Sequence, residues 1–129
     1  MTEYQRKKNN KYILPQAVYL SVLWTIRDYT RLKEEADAVL YESPSMHGGS
    51  IKSSAISDPT HNKAAKREGY LTKINAIDKA KDEIPKEYRK GVWDNIQYRS
   101  AFPLDAARST YGYYKSQFIF NVARNLKMI

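Results

Sequence analysis

The chemistry most legible in this chain is hydrogen bonding and positive charge near its C-terminal end. Beyond Asp105 there is no acidic residue, only Arg108, Lys115, Arg124 and Lys127. Interleaved with these cations are Ser109, Thr110, Tyr113, Ser116 and Gln117, whose hydroxyls and amide both donate and accept. Wound as a helix at about 100° per residue, the segment sorts into two sides. Tyr111, Tyr114, Phe118, Val122 and Leu126 fall on one. Thr110, Tyr113, Ser116, Gln117, Phe120 and Arg124 fall on the other, with Lys115 on the flank. A glutamine amide and hydroxyls match the base edges displayed in a DNA major groove. Thr110, Tyr113, Ser116 and Gln117 are therefore candidate base contacts, and Ser109, at the helix start, is counted among the DNA-binding residues. Lys115, Arg124, Arg108 and Arg99 are candidate phosphate contacts, which position a helix without reading sequence. Phe120 breaks the pattern, and its place on the polar side calls for packing on the rest of the fold or on a second subunit.

The distribution of charge strengthens that emphasis. The net charge is +8 over 129 residues, with a sequence pI near 9.6. Residues 86–129 hold eight cations and three acids, whereas residues 13–45 hold three cations and five acids. A segment with an uncompensated positive field suits a polyanionic partner. Residues 1–12 add Arg6, Lys7, Lys8 and Lys11 against Glu3 and read as a flexible, solvated basic arm.

Enzymatic chemistry finds little support. There is no Gly-rich phosphate loop, no carboxylate pair in an apolar setting and no cysteine, so thiolate catalysis, thiolate metal ligation and disulfides are excluded. His47 and His61 are the only histidines, and neither has partners at metal-ligand spacing. No metal or cofactor is expected. Asp105 reads as a capping or dipole-compensating acid at a helix start. No run approaches the roughly 18 apolar residues that span a bilayer, which points to the cytoplasm.

The elements that must position the candidate residues are helical throughout, which makes the fold class all-α. Pro15 to about Glu42 reads as one long helix, with Val18, Val22, Ile26, Tyr29, Leu32, Ala36 and Val39 in a continuous stripe and Arg31 placed to pair with Glu35. Ser43–Ser57, with Pro44, Gly48, Gly49 and its serines, reads as a mobile loop. Asp58 and Pro59 form an N-cap and first-turn signal for a second helix, whose apolar face is Ala64, Leu71, Ile74, Ile77 and Ile84. The two long helices are expected to fold back as an antiparallel hairpin spanning residues 13–84. Pro85 ends or kinks the second helix. A third helix covers Lys86 to about Tyr98, with Tyr88, Val92, Trp93 and Ile96 inward and Trp93 against Phe118. Leu104 to Arg108 reads as a short helix, and Ser109 or Thr110 as the cap of a last helix ending near Leu126. Within residues 85–129 this order is that of a helix-turn-helix.

The runs DEIPKEYRKGVWDNIQYR and PLDAARSTYGYYKSQFIFNVARNL resemble the C-terminal part of the RinA/ArpU-like regulators of late phage genes. More distantly they are similar to the sigma-factor region that reads the −35 promoter element. YILPQAVYLSVLWTIRDYTRLKEEADAVLYESP and ISDPTHNKAAKREGY resemble the preceding part of related phage proteins. The resemblance implies a sequence-specific transcriptional regulator of phage or prophage genes, acting in a bacterial host cell on double-stranded DNA. RNA polymerase and a second copy of the chain are the further partners it admits. A DNA-binding packaging component like a small terminase subunit and a helical adaptor that binds only protein are the alternatives.

A loop at Ser43–Ser57 places the first tryptic cut at Lys52, ahead of Lys73 or Arg89, in limited digestion read by mass spectrometry. Early cleavage within either long helix, with Lys52 protected, contradicts this layout.

Overall fold

The computed structural model describes residues 11–40 and 59–129. Among them are five helices and no strand: α1 (Gln16–Arg27), α2 (Tyr29–Leu40), α3 (Pro59–Asp82), α4 (Lys86–Tyr98) and α5 (Arg108–Asn125). The fold class is all-α. The Ser43–Ser57 loop, the Asp58 cap, His47 and the His61 side chain lie outside the described residues, as do residues 1–10 of the basic arm.

The helix expected to run unbroken from Pro15 divides at Asp28, and Pro15 itself stands just ahead of α1 in an extended conformation. The Asp28 N–H reaches both Trp24 O at 3.0 Å and Thr25 O at 3.1 Å, while its own carbonyl accepts from Leu32 N at 2.9 Å. One residue thus closes α1 and opens α2. The cause lies across the fold, in α4. Gln97 Nε2 donates to the Ile26 carbonyl at 2.6 Å and Arg27 Nε donates to the Ile96 carbonyl at 2.8 Å. A side-chain donor inserted among helical carbonyls is a recognised source of a break. The apolar stripe continues through the break, so periodicity alone does not reveal it. Arg31 pairs with Asp28 through both carboxylate oxygens, at 2.8 and 2.6 Å, in place of the expected Glu35. That contact holds the Asp28 carboxyl below its usual range.

Freed from the direction of α1, α2 lies along α3. Leu32, Ala36 and Ile74 are buried together, with Tyr29, Tyr70 and Leu71 at their margin. Tyr29 donates to Asp78 Oδ1 at 2.6 Å and Arg67 Nε donates to Ala36 O at 3.3 Å. Contacts fall along α3 as they rise along α2, so the two run antiparallel. Ala64, assigned to the apolar face of α3, is exposed. The buried stripe of that helix begins only at Ile74 and continues through Ala76, Ile77 and Ala80.

Helix α3 ends at Asp82, ahead of Pro85, whose extended backbone starts α4. Arg89 on α4 reaches back, and its Nη2 donates to Asp82 O at 3.1 Å and Ile84 O at 2.9 Å. A guanidinium on carbonyls that no helical N–H satisfies is favourable for hydrogen bonding and for the helix dipole alike.

The centre of the core is α5, which packs on α1, α3 and α4. Phe118, Ile119, Val122 and Ala123 are fully enclosed. Trp93 is half-buried, edge-on to Tyr29 at 5.1 Å between centroids and 6.3 Å from Phe118, with Lys81 Nζ 4.0 Å from its ring centroid. Buried Asn121 donates to Glu83 Oε1 at 3.0 Å, and Asn125 to the Ala76 carbonyl at 3.1 Å. Helix α5 then closes with Lys127 at φ 60° while Lys127 N and Met128 N bond the carbonyls of Arg124 and Ala123. This is a Schellman turn with a cation at the negative end of the helix.

Two glycines make opposite demands. A β-carbon at Gly91 would stand 2.6 Å from Tyr111 Cε1 and 2.8 Å from Pro103 Cδ, whereas one at Gly112 would meet nothing within 4 Å. Alanine is favoured over glycine within a helix by roughly 0.5–1 kcal/mol. At Gly91 the clash outweighs that gain, and Gly91→Ala is expected to destabilise by about 1–3 kcal/mol. Gly112→Ala keeps the gain and is expected to stabilise by about 0.5–1 kcal/mol. Chemical denaturation of both variants checks the pair of signs.

Candidate nucleic-acid interface

The exposed part of α5 is its N-terminal half. Tyr111 is the one residue there that is fully buried, whereas in the later half Phe118, Ile119, Asn121, Val122 and Ala123 are buried and Phe120 is partly so. Arg108 and Ser109 are exposed, Tyr113 is 45% exposed, and Thr110, Gly112 and Ser116 are partly so. Arg124 is exposed two turns beyond Gln117 on the same line. Among the described residues neither Arg108 nor Arg124 forms an ion pair, and no acid follows Asp105 in the sequence.

The entry into α5 differs from the expected short helix. Leu104 to Ala106 form a turn, Ala107 stands at the N-cap without a side-chain cap, and Arg108 is already helical. Ser109 and Thr110 therefore lie inside the first turn and do not cap it. A short helix needs an apolar side to bury, and Leu104 is 97% exposed. The connection is held by other means. Phe102 stacks on Tyr111 at 5.3 Å, and Tyr111 donates to Asp105 Oδ1 at 2.5 Å. Asp105 thus fastens the connection to α5 and does not compensate a helix dipole. At its start, α4 gives way to Arg99, exposed and in the left-handed region at φ 57°.

Among the candidate contacts, Arg99, Tyr113, Lys115 and Gln117 have partners within the chain. Lys115 Nζ donates to Asn95 Oδ1 at 2.8 Å, and Asn95 Nδ2 donates to the Ser100 carbonyl at 2.7 Å. Lys115 consequently ties α5 to the end of α4 and to the connection. Gln117 Nε2 donates to the Tyr12 hydroxyl at 3.2 Å, and that hydroxyl lies 3.4 Å from the hydroxyl of Tyr113. The Tyr12 ring sits edge-on to Tyr113 at 5.6 Å and to Phe120 at 5.4 Å. Phe120 therefore packs on the segment that leads into α1, at the margin of the main core.

Tyr12 is the residue that sequence reasoning assigned to a solvated arm. A signal for its role was present. Tyr12, Ile13 and Leu14 form a short apolar run after a polar stretch, and Leu14 is 2% exposed in the main core. The shared hydroxyl contact holds the Tyr12 phenol below its usual range and raises that of Tyr113. Tyr111 is pushed up to about 12, chiefly by its hydrogen bond to Asp105 and next by burial.

Among the described residues no cluster of three or more His, Cys, Asp or Glu forms a metal site, and no helix is long and apolar enough to cross a membrane. Comparison with protein-family models, curated proteins and solved structures finds no match for the chain.

The Tyr111–Asp105 bond has a definite pH signature. A phenol with its folded-state pKa raised above 10 binds its proton more tightly when folded. Its contribution is complete below the unfolded value and declines as pH rises toward 12. Stability from denaturant melts is therefore expected to fall more steeply between pH 10 and 12 in the wild type than in Tyr111→Phe.

Proposed function

We propose that this chain is a sequence-specific DNA-binding transcriptional regulator of phage or prophage genes, in which α4 and α5 act as the helix-turn-helix. The observation that carries this reading is the exposed, acid-free N-terminal half of α5. Hydroxyls at Ser109, Thr110, Tyr113 and Ser116 share that half with Arg108, while Arg99 closes α4 and Arg124 lies in the last turn of α5. A major groove accepts one such helix, reads it through donors and acceptors, and presents phosphates to the flanking cations.

Arg99, Arg108 and Arg124 are assigned to phosphates, and Ser109, Thr110, Tyr113 and Ser116 to base edges. Lys115 is a positioning residue that sets α5 against α4. The connection between those helices is longer than the usual three- or four-residue turn. Its rigidity comes from the Tyr111–Asp105 and Lys115–Asn95–Ser100 links. The antiparallel α2 and α3 form the remaining arm of the molecule.

One observation favours a protein partner in addition. Tyr98, at the end of α4, and Leu104, within the connection, are 73% and 97% exposed. Apolar groups beside a DNA-reading unit suit contact with RNA polymerase or a second copy of the chain.

Retention of fragments from the source genome, followed by titration of the best one against salt, tests the assignment. Each lost phosphate contact removes about one counterion. Arg108→Ala is therefore expected to flatten log affinity against log salt by about 0.9 and to weaken all sequences alike. Ser116→Ala is expected to leave that slope unchanged and to lose about 0.5–1.5 kcal/mol of discrimination at one base pair, as for one neutral hydrogen bond. Absence of duplex binding by the folded wild type at low salt overturns the proposal and leaves the protein-binding adaptor in its place.

A further inference from the structure

We infer that Tyr12 is a latch on the reading face of α5, closed in the free protein and displaced when duplex DNA enters; the inference rests on the DNA-binding reading above. Tyr113 and Phe120 stand seven residues apart, which is two helical turns or about 10 Å along the axis. The Tyr12 ring touches both. It therefore covers the middle of the polar side of α5, with Ser109 on one side of it and Arg124 on the other. Gln117 lies between Tyr113 and Phe120, and its amide donates into the Tyr12 hydroxyl at 3.2 Å. One of the two amide N–H groups that would meet a base edge at this level is engaged inside the chain. A base and the Tyr12 hydroxyl cannot take the same N–H, and the ring stands where the base would approach.

The same contacts are built to release. The Tyr12–Tyr113 hydroxyl separation is 3.4 Å and the Gln117 bond 3.2 Å, both at or beyond the long end for their types. Tyr12 is only half-buried and Lys11 before it is exposed. The fixed point is Leu14, 2% exposed in the core, with Ile13 alone between it and Tyr12. Rotation at residues 11–13 would lift the ring from α5 while Leu14 stays anchored in the core. Phe120 on the polar side of α5 is explained by the same device, because it supplies the apolar seat for the latch.

The consequence is an apparent DNA affinity reduced by the fraction of molecules that are open. Full-length wild type, Tyr12→Ala and Tyr12→Phe are titrated with the best-retained genomic duplex and with a random duplex. Tyr12→Ala is expected to bind the specific duplex about tenfold more tightly, as for an open fraction near one tenth. The salt slope should not change, since no charge is removed. Tyr12→Phe keeps the ring contacts and loses the hydroxyl, so its expected gain is smaller, about threefold, and it carries the test if the alanine variant fails to fold. Gln117→Ala is expected to reduce discrimination about tenfold in the wild type and in the Tyr12→Ala background alike, because the latch is open in every bound complex. Variants that melt like wild type but bind equally or more weakly overturn the latch and leave DNA binding standing. No retention of either duplex by any of the three proteins at low salt overturns both.

Discussion

The constraint on which this molecule depends is the enclosure of the C-terminal half of α5. Phe118, Ile119, Val122 and Ala123 have no exposed surface, and the elements around them are α1, α3 and α4. Each of those helices buries part of its apolar stripe against the same partner. Full burial of four such side chains accounts for several kcal/mol at roughly 1.5–3 kcal/mol for each large one. Enclosure also decides where a ligand can reach. With the later turns of α5 covered, only its first turns and the line through Arg124 face outward.

Around that apolar centre, the ends of the helices are joined by side chains from elsewhere in the chain. Gln97 and Arg27 exchange donors with the carbonyls of Ile26 and Ile96. Arg89 covers the end of α3, and Asn125 reaches Ala76 on the same helix. Helix ends leave carbonyls that no helical N–H can satisfy, and leaving such a group buried and unpaired costs more than a typical bond contributes. These links therefore specify angles between helices more than they add stability. The break at Asp28 is the clearest case, since it allows one apolar stripe to serve two sets of partners. By comparison, the exposed Lys90–Asp94 pair contributes little to stability, as surface ion pairs generally do.

The close approach at Gly91 links packing to the proposed function. Tyr111 and Pro103 occupy the space that a side chain would need, so α4 and the entry into α5 meet backbone to side chain. That contact sets the start of α5, and with it the placement of Arg108, Ser109 and Tyr113. A helix that reads a groove must hold its first turns in a fixed pose relative to the flanking cations. Here the pose is set by a glycine, a proline, a tyrosine–aspartate bond and a lysine directed inward.

Helical content was legible in the sequence because apolar residues recur at spacings of three and four and because Pro59 and Pro85 mark helix boundaries. The start of α4 follows from Pro85, and its inward residues Val92 and Ile96 follow from that spacing. So does the acid-free C-terminal charge, which no packing can alter. Tertiary structure decided the rest. The stripe through Asp28 predicts one helix, since periodicity records which side is apolar and not whether a remote amide takes a carbonyl. Lys115 and Gln117 carry the residue types of a DNA contact, yet their positions beside Asn95 and Tyr12 depend on which elements meet in space. Leu104 is apolar in a helix-like run but finds no surface to bury against, and the segment turns instead. Tyr12 stands 101 residues from Tyr113, and no local pattern encodes a contact across that separation. Sequence fixes the inventory of donors, charges and apolar faces; the packing of α5 determines which of them remain outward to meet a partner.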